Sequence, residues 1–207
     1  MFLPPSLNIL DLMGDLVSVK VDKNLAPGIV SYIENRKKTT DKSKMLGAIR
    51  IDLKHVEHLT FQGNAKEGVN NFTVDIDEPA ERGGYGKGPT PLNYFLIGAG
   101  SCLLMQWAKI AVIENLDIDN LEATVRGHTD RRIDGYFTDF VFDIRMDGNE
   151  TTEKIKQVAK ESERLCFVHN TLKRAVPCIT NIVMNGKLIY STTSGPESSA
   201  NTESIKA

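Results

Sequence analysis

The stretch that most constrains this chain runs from Thr90 to Asn115 and reads TPLNYFLIGAGSCLLMQWAKIAVIEN. Thr90 is a residue type that caps helices, and Pro91 follows at the first helical position, where a missing amide donor costs nothing. About 25 residues then follow without another proline, enough for a helix about 37 Å long. Apolar residues occupy nearly every side of this helix, so we expect it to be buried on nearly every side.

Two glycines, Gly98 and Gly100, lie inside this helix although each costs about 1 kcal/mol relative to alanine there. We infer that they let another backbone come close. Cys102 follows one turn after Gly98, which predicts a thiol in the middle of a buried helix. Polar residues such as Gln106 and Lys109 interrupt the apolar run and favour a core helix over a membrane span.

Composition indicates one globular domain with an appendage. The 207 residues are 41% hydrophobic and 25% charged, and the formal net charge is −2. This balance favours neither nucleic acid nor an anionic membrane as a partner. The sequence does not open with a signal peptide pattern, and three cysteines are an odd number, so we predict a cytoplasmic protein without a disulfide framework.

The chain divides into three predicted regions. Residues 1–45 form an N-terminal extension of unassigned role, residues 46–191 form the main domain, and residues 192–207 form a polar, disordered tail. Within the extension, we predict short helices at 6–16 and 27–34, a strand at 17–21 and a charged linker or loop at 35–44.

Alternating apolar residues predict antiparallel strand pairs on both sides of the long helix. Residues 48–63 and 69–79 form the first pair, with GNAKEG as the hairpin loop and a flexible glycine-rich loop leading to the helix. Residues 121–132 and 137–148 form the second pair. A helix capped by Thr151 or Thr152, a short helix starting near Cys166 and a last strand pair over 178–190 follow, which together predict an α+β fold.

Cys102 and Cys166 are the sharpest candidates for chemistry. Cys166 lies at the start of a short helix, whose positive end lowers a thiol pKa. If the two thiols meet, they can act as a peroxidatic and resolving pair, in which a thiolate becomes a sulfenic acid and then a disulfide. The 64 positions between them do not show that they meet. The alternative is that both are inert, buried side chains.

A zinc site is a weaker alternative. Cys166 and His169 form a Cys-x-x-His sequence, and thiolates and imidazoles are zinc ligands, so Cys102 and Cys178 would have to complete the site. No Cys-x-x-Cys pair supports it, and we therefore expect neither metal nor cofactor. We interpret His169 as a helix-start residue that could act as a base for the second thiol, and Cys178 as a core residue of the last strands.

Three large apolar side chains near Cys102 have two interpretations. Trp107, Phe95 and Met105 can line an apolar pocket for an organic hydroperoxide, or they can simply pack. We prefer packing.

These residues resemble the OsmC/Ohr family of osmotically inducible and organic hydroperoxide resistance proteins, nearest its OsmC-like branch. The resemblance rests on TVDIDEPAERGG, on GPTPLNYFLIGAGSCLLMQWAKIAVIENLDIDNLEATVRGH and on ERLCFVHNTL, and it covers about residues 48–190. It implies an intertwined homodimer with long helices packed centrally and both active sites at the interface. It also implies a peroxidase in which Cys102 is the peroxidatic thiol and Cys166 the resolving thiol, re-reduced by a lipoyl or thioredoxin-like dithiol.

Three positions depart from the pattern of the family's hydroperoxide reductases. Leu92 stands where they carry a glutamate, Lys66 is the only cation in the loop where they carry an arginine, and Phe167 follows the second cysteine where proline is usual. The arginine holds the thiolate as an ion pair and the glutamate orients that arginine.

Cys102 therefore needs another stabilising group. The candidates are Lys66, Arg82 oriented by Glu81, and Lys109, which lies seven positions after Cys102 on the same helix face. Without such a group, the chain is instead a non-catalytic OsmC-like stress or small-ligand-binding protein with idle thiols. A third hypothesis is redox sensing, in which disulfide formation changes a partner contact of the N-terminal extension.

Overall fold

The computed structural model describes residues 26–40, 49–132 and 134–196. The helix and strand predicted at 6–16 and 17–21 lie outside these residues, as do part of the charged stretch and most of the predicted tail.

Within the described residues, four α-helices, a 3-10 helix and seven strands form an α+β fold, as predicted. In chain order the elements are α1 (Ala26–Lys38), β1 (Ile51–Glu57), β2 (Thr60–Glu67), β3 (Asn70–Ile76), the 3-10 helix (Ala80–Arg82), α2 (Pro91–Ile113), β4 (Ile118–Asp130), β5 (Tyr136–Gly148), α3 (Thr152–Leu165), α4 (Phe167–Leu172), β6 (Cys178–Met184) and β7 (Lys187–Ser194). The first sheet is β1-β2-β3, and the second sheet has the order β4-β5-β6-β7.

The first sheet has three antiparallel strands where the sequence predicted a two-stranded hairpin. The segment GNAKEG, predicted as the hairpin loop, lies mostly within β2, and the chain turns instead near His58 (φ 45°) and Gly68 (φ 59°). The first turn was missed because apolar residues keep alternating on both sides of it. His55 of β1 pairs with Phe61 of β2, so the period alone does not show that the chain reverses there.

The glycine-rich loop before α2 is tightly packed, rather than the flexible approach that the sequence predicted. Asp77 is fully buried and accepts backbone hydrogen bonds from Glu78 at 2.8 Å, Tyr85 at 3.1 Å and Lys87 at 3.0 Å. Burial by itself raises the pKa of Asp77, but these N–H groups outweigh it and lower that pKa overall. A Cβ on Gly84 would lie 1.8 Å from the carbonyl oxygen of Glu78, so only glycine fits there.

The long helix is present as α2. The Thr90 hydroxyl accepts a hydrogen bond from the backbone N–H of Asn93, and Pro91 takes the first helical position, as predicted. One side of α2 is buried against β4, α3, α4 and α1, which favours the core-helix interpretation although its length and composition also suit a membrane span. The expectation of burial on nearly every side is wrong for a single chain, because Ile97 and Met105 are 55% and 60% exposed.

The two helix glycines do not meet another backbone within the described residues. A Cβ on Gly100 would lie 2.7 Å from Cγ2 of Val125 in β4, so this glycine admits a side chain of the sheet. Gly98 has no atom of the described residues within 4 Å of its Cβ position.

The second sheet contains a parallel pair that the sequence did not predict. β5 and β6 run parallel, and α3 and α4 form the crossover between them. The β5 residues Phe140, Phe142 and Ile144 are buried in the core beneath these helices. The crossover returns the chain over α2 and places the junction of α3 and α4, with Cys166, against that helix. β7 continues to Ser194, three residues into the predicted tail.

Helix α1 packs onto α2 from within the predicted N-terminal extension. It covers the helix predicted at 27–34 and continues to Lys38, through residues predicted as a charged linker. Ile33 is 2% exposed and belongs to the same core cluster as Trp107.

Candidate active site

The structure brings Cys102 and Cys166 together. Their Sγ atoms lie 3.3 Å apart, with the Cys166 thiol donating a hydrogen bond to the Cys102 sulfur. Cys166 has an extended backbone between α3 and α4, and its Sγ also accepts the backbone N–H of His169 at 3.4 Å. Cys166 is fully buried and Cys102 is partly exposed, so the sulfur that accepts the hydrogen bond is the one nearer to solvent.

The two thiols have opposite pKa shifts. The pKa of Cys102 is lowered to about 6, first by the hydrogen bond from Cys166 and then, against the effect of burial, by the backbone N–H groups of Val168 and Phe167 and the charge of Lys109. The same hydrogen bond to Cys102, together with burial, raises the pKa of Cys166 far above its usual range. The lowering expected from its place at the start of a short helix is therefore wrong, because the amides of His169 and Val168 are outweighed. At neutral pH Cys102 is therefore a thiolate and Cys166 a thiol that donates to it.

Of the cations predicted to stabilise Cys102, Lys109 is the one whose charge lowers its pKa. Lys66 lies exposed on β2 and has no ion-pair partner among the described residues. Arg82 pairs with Glu78 at 3.1 Å, and the prediction that Glu81 orients Arg82 is therefore wrong.

His169 lies at the start of α4 beside the second thiol, as the sequence indicated. Its backbone N–H reaches Cys166, but its buried ring packs against Phe142 and places Nε2 3.4 Å from Oγ of Ser194. Burial, followed by the charge of Lys173, lowers the pKa of His169 to about 4, so the imidazole is neutral at pH 7. The side chain predicted as a base thus faces β7.

Two other sequence candidates, Cys178 and Trp107, are core residues. Cys178 is fully buried in β6, and burial followed by the charge of Glu163 raises its pKa to about 11. In the part of the chain that the structure describes, no three His, Cys, Asp or Glu side chains are grouped to hold a metal ion. Trp107 is fully buried, so packing accounts for it, whereas Phe95 stacks on Phe137 at 5.3 Å but is 42% exposed and Met105 is 60% exposed.

Sequence reasoning missed the groups that face the thiol pair from outside α2. The amides of Phe167 and Val168 carry no side-chain signal, and only the position of Cys166 before a short helix pointed to them. Arg36 was treated as part of a solvated charged stretch. In the structure its guanidinium lies 4.6 Å from the centre of the Phe167 ring, and its Nη1 donates to the Leu165 carbonyl at 3.3 Å.

Comparisons with known proteins place this fold. Residues 84–181 match the family model of OsmC-like protein. The OsmC-like protein of Mycoplasma pneumoniae has a TM-score of 0.58 and 20% identity, over 67% of this chain and 97% of its own. A hypothetical protein of Aquifex aeolicus VF5 has a TM-score of 0.57 and 15% identity, over 68% and 98%. An organic hydroperoxide resistance protein of Elizabethkingia anophelis has a TM-score of 0.54 and 14% identity, over 68% and 98%. No match was found among the curated proteins.

Two sheets, a long helix carrying one thiol and a helix junction carrying the second define an α+β protein with a paired-cysteine site. This chain contains an OsmC-like domain, and the resemblance to the OsmC/Ohr family drawn from its sequence is confirmed.

Proposed function

We propose that this protein is a thiol-dependent peroxidase that reduces organic hydroperoxides or hydrogen peroxide through Cys102 and Cys166. The observation that carries this proposal is the 3.3 Å contact between the two sulfurs, with Cys166 as the donor. It supplies a thiolate, a proton and a second thiol at one place, which are the three requirements of two-cysteine peroxide reduction.

In the first step the Cys102 thiolate attacks one oxygen of the peroxide. A sulfur–oxygen bond forms, the oxygen–oxygen bond breaks, and Cys102 becomes a sulfenic acid. The leaving alkoxide takes the proton of Cys166 and departs as an alcohol. Oxidation removes the negative charge of Cys102, whose hydrogen bond is the first cause of the raised Cys166 pKa, so Cys166 loses its proton more readily at that moment.

In the second step the Cys166 thiolate attacks the Cys102 sulfur. A disulfide forms, the sulfur–oxygen bond breaks, and hydroxide leaves. The two sulfurs have to approach from 3.3 Å to about 2.05 Å, a movement that side-chain rotation and a small helix shift can supply. An external dithiol, lipoyl or thioredoxin-like, then reduces the disulfide and is itself oxidised, and the reducing cytoplasm is the compartment that supplies it.

The proposal includes a homodimer. Support comes from large apolar side chains that a single chain leaves exposed on the first sheet and on one side of α2. A monomer usually exposes such side chains singly, whereas here they are grouped on these two elements. They include Leu53, Phe72, Leu92, Ile97 and Met105. A second copy of the chain packed on this surface would bury them.

A direct assay tests the activity. Purified protein is mixed with cumene hydroperoxide and dihydrolipoamide, and peroxide consumption is followed for the wild type, Cys102→Ser, Cys166→Ser and the control Cys178→Ser. We expect the first two variants to lose turnover and Cys178→Ser to keep it, because Cys178 is a core thiol. Equal rates for the wild type and Cys102→Ser would refute the proposal.

A non-catalytic role is the second candidate, and two observations favour it. Leu92 stands exposed where the family's reductases carry glutamate, and Lys66, in place of their arginine, makes no ion pair within the described residues. In that case Cys102 would titrate near about 8.5, the ordinary thiol value. A midpoint near 6 with peroxide turnover would instead exclude this candidate.

A further inference from the structure

Arg36 of α1 holds the junction at which the second thiol lies. Its Nη1 donates to the carbonyl of Leu165, the last residue of α3, and its guanidinium stacks on Phe167, the first residue of α4. Cys166 lies between these two contacts. The last carbonyls of a helix lack intrahelical partners, so the hydrogen bond satisfies a group that would otherwise need water.

A second contact of α1 reaches Lys109 of α2, whose charge lowers the pKa of Cys102. The ammonium group of Lys109 lies 4.9 Å from the ring centre of Tyr32, one helical turn before Arg36 on the same face of α1. Ile33, between them, is buried in the core and anchors α1 to α2. One helix therefore contacts both the cation on α2 and the aromatic residue on α4.

We propose that Arg36 is a positioning residue of the paired-cysteine site, which holds the first turn of α4 so that the Phe167 and Val168 amides face Cys102. This makes α1 a part of the site although it precedes residues 84–181, which match the OsmC-like family. The inference deepens the proposed function, and its catalytic meaning rests on that function.

The chemistry of arginine explains why this residue type suits the position. A planar guanidinium can stack on an aromatic face while an N–H at its edge donates to a carbonyl, whereas an ammonium group acts as a point charge. Phe167 stands where the family usually has proline, and it supplies both the ring under Arg36 and an amide N–H that proline lacks. We therefore expect Arg36 and Phe167 to act together in holding the first turn of α4.

The test is the pH dependence of Cys102 alkylation by iodoacetamide, followed by peptide mass spectrometry. The variants are Arg36→Met, Arg36→Lys and Phe167→Leu, and the matched control is Lys38→Met, which removes an exposed cation from the same helix. We expect the alkylation midpoint to rise by about one pH unit in Arg36→Met and Phe167→Leu, as for a loosened hydrogen bond to a thiolate. The alkylation midpoint should rise less in Arg36→Lys and should match the wild-type value in Lys38→Met.

Unchanged midpoints in both Arg36→Met and Phe167→Leu would overturn the inference, even if either variant melts at a lower temperature, since a merely structural role leaves the titration in place. If Arg36→Met does not fold, Phe167→Leu decides, because its side chain is 65% exposed and lies outside the core. The alkylation midpoint requires no peroxide turnover. A shifted midpoint in a protein that does not consume peroxide would keep the positioning role and refute the peroxidase.

Discussion

The Cys166 thiol donates a hydrogen bond to Cys102 across 3.3 Å, from a buried sulfur to a partly exposed one. This relationship makes the two thiols unequal, since it lowers the pKa of Cys102 and raises that of Cys166. A hydrogen bond to a thiolate favours the charged form, as a nearby cation does.

Removing the donor should raise the pKa of the acceptor. In Cys166→Ala, we expect the Cys102 pKa to rise from about 6 toward its ordinary value, because the largest stabilising contribution is lost. Cys166→Ser keeps a hydroxyl donor and should show a smaller rise. The ultraviolet absorbance of the thiolate, measured against pH, gives both values, with Cys178→Ala as the control. A Cys102 pKa that stays near 6 in Cys166→Ala would contradict the assignment.

Activity should follow the ionisation of Cys102. The first, peroxide-dependent phase should be slow below about pH 6 and should rise to a plateau above it, as the thiol becomes a thiolate. The lowered pKa of Cys102 also makes the stability of the fold depend on pH. A lowered thiol pKa contributes stability that is fully present above the ordinary thiol value and is lost as pH falls through the folded value near 6. Stopped-flow kinetics with excess peroxide measures the rate of this first phase. A rate that does not change between about pH 5 and 7, about one unit on either side of the Cys102 pKa, would argue against Cys102 as the attacking thiol.

One equivalent of peroxide should oxidise a defined pair. We expect a disulfide between Cys102 and Cys166, with Cys178 still reduced, because Cys178 is buried and its pKa is raised to about 11. Peptide mapping after blocking free thiols identifies the bridge. In Cys166→Ser the sulfenic acid should persist and react with dimedone, whereas bridging through Cys178 would contradict the two-cysteine scheme.

Association should depend on the exposed side of α2. Met105→Glu places a charge on this apolar surface and should convert a homodimer to a monomer, while Gln157→Glu, on the exposed side of α3, should leave it intact. Light scattering coupled to gel filtration measures the mass. A wild-type protein that elutes as a monomer would refute the proposed dimer.

The loop before α2 should be sensitive to small changes. Gly84→Ala brings a Cβ against the Glu78 carbonyl and should destabilise the fold by about 2 kcal/mol or more, as steric conflicts with a fixed backbone do. Asp77→Asn should also lower stability at neutral pH. The stability deficit of Asp77→Asn should shrink in acid, since the advantage of the wild-type carboxylate is lost as pH falls through its lowered pKa. Urea unfolding at several pH values measures both, and a deficit in Asp77→Asn that does not depend on pH would argue that its charge is irrelevant.

Local patterns were sufficient for much of this fold. The cap at Thr90, the proline at position 91 and the apolar run determined α2, because capping and helical period act within a few residues of the chain. The second strand pair, the helix after Thr151 and the short helix after Cys166 were likewise predicted from the sequence.

By itself, then, the sequence determined which residues are helix or strand over most of the described chain, which thiols stand at helical positions, and which family they resemble. The tertiary structure alone decided that the two sulfurs meet, that β5 and β6 are parallel, and that Lys109, rather than Lys66 or Arg82, acts on Cys102. It also placed Arg36 against Leu165 and Phe167, the two neighbours of Cys166, at a separation of 129 positions from Leu165. The physical reason is that propensity and periodicity report on neighbours along the chain, whereas hydrogen bonds and charges act between whatever groups the packed core brings close.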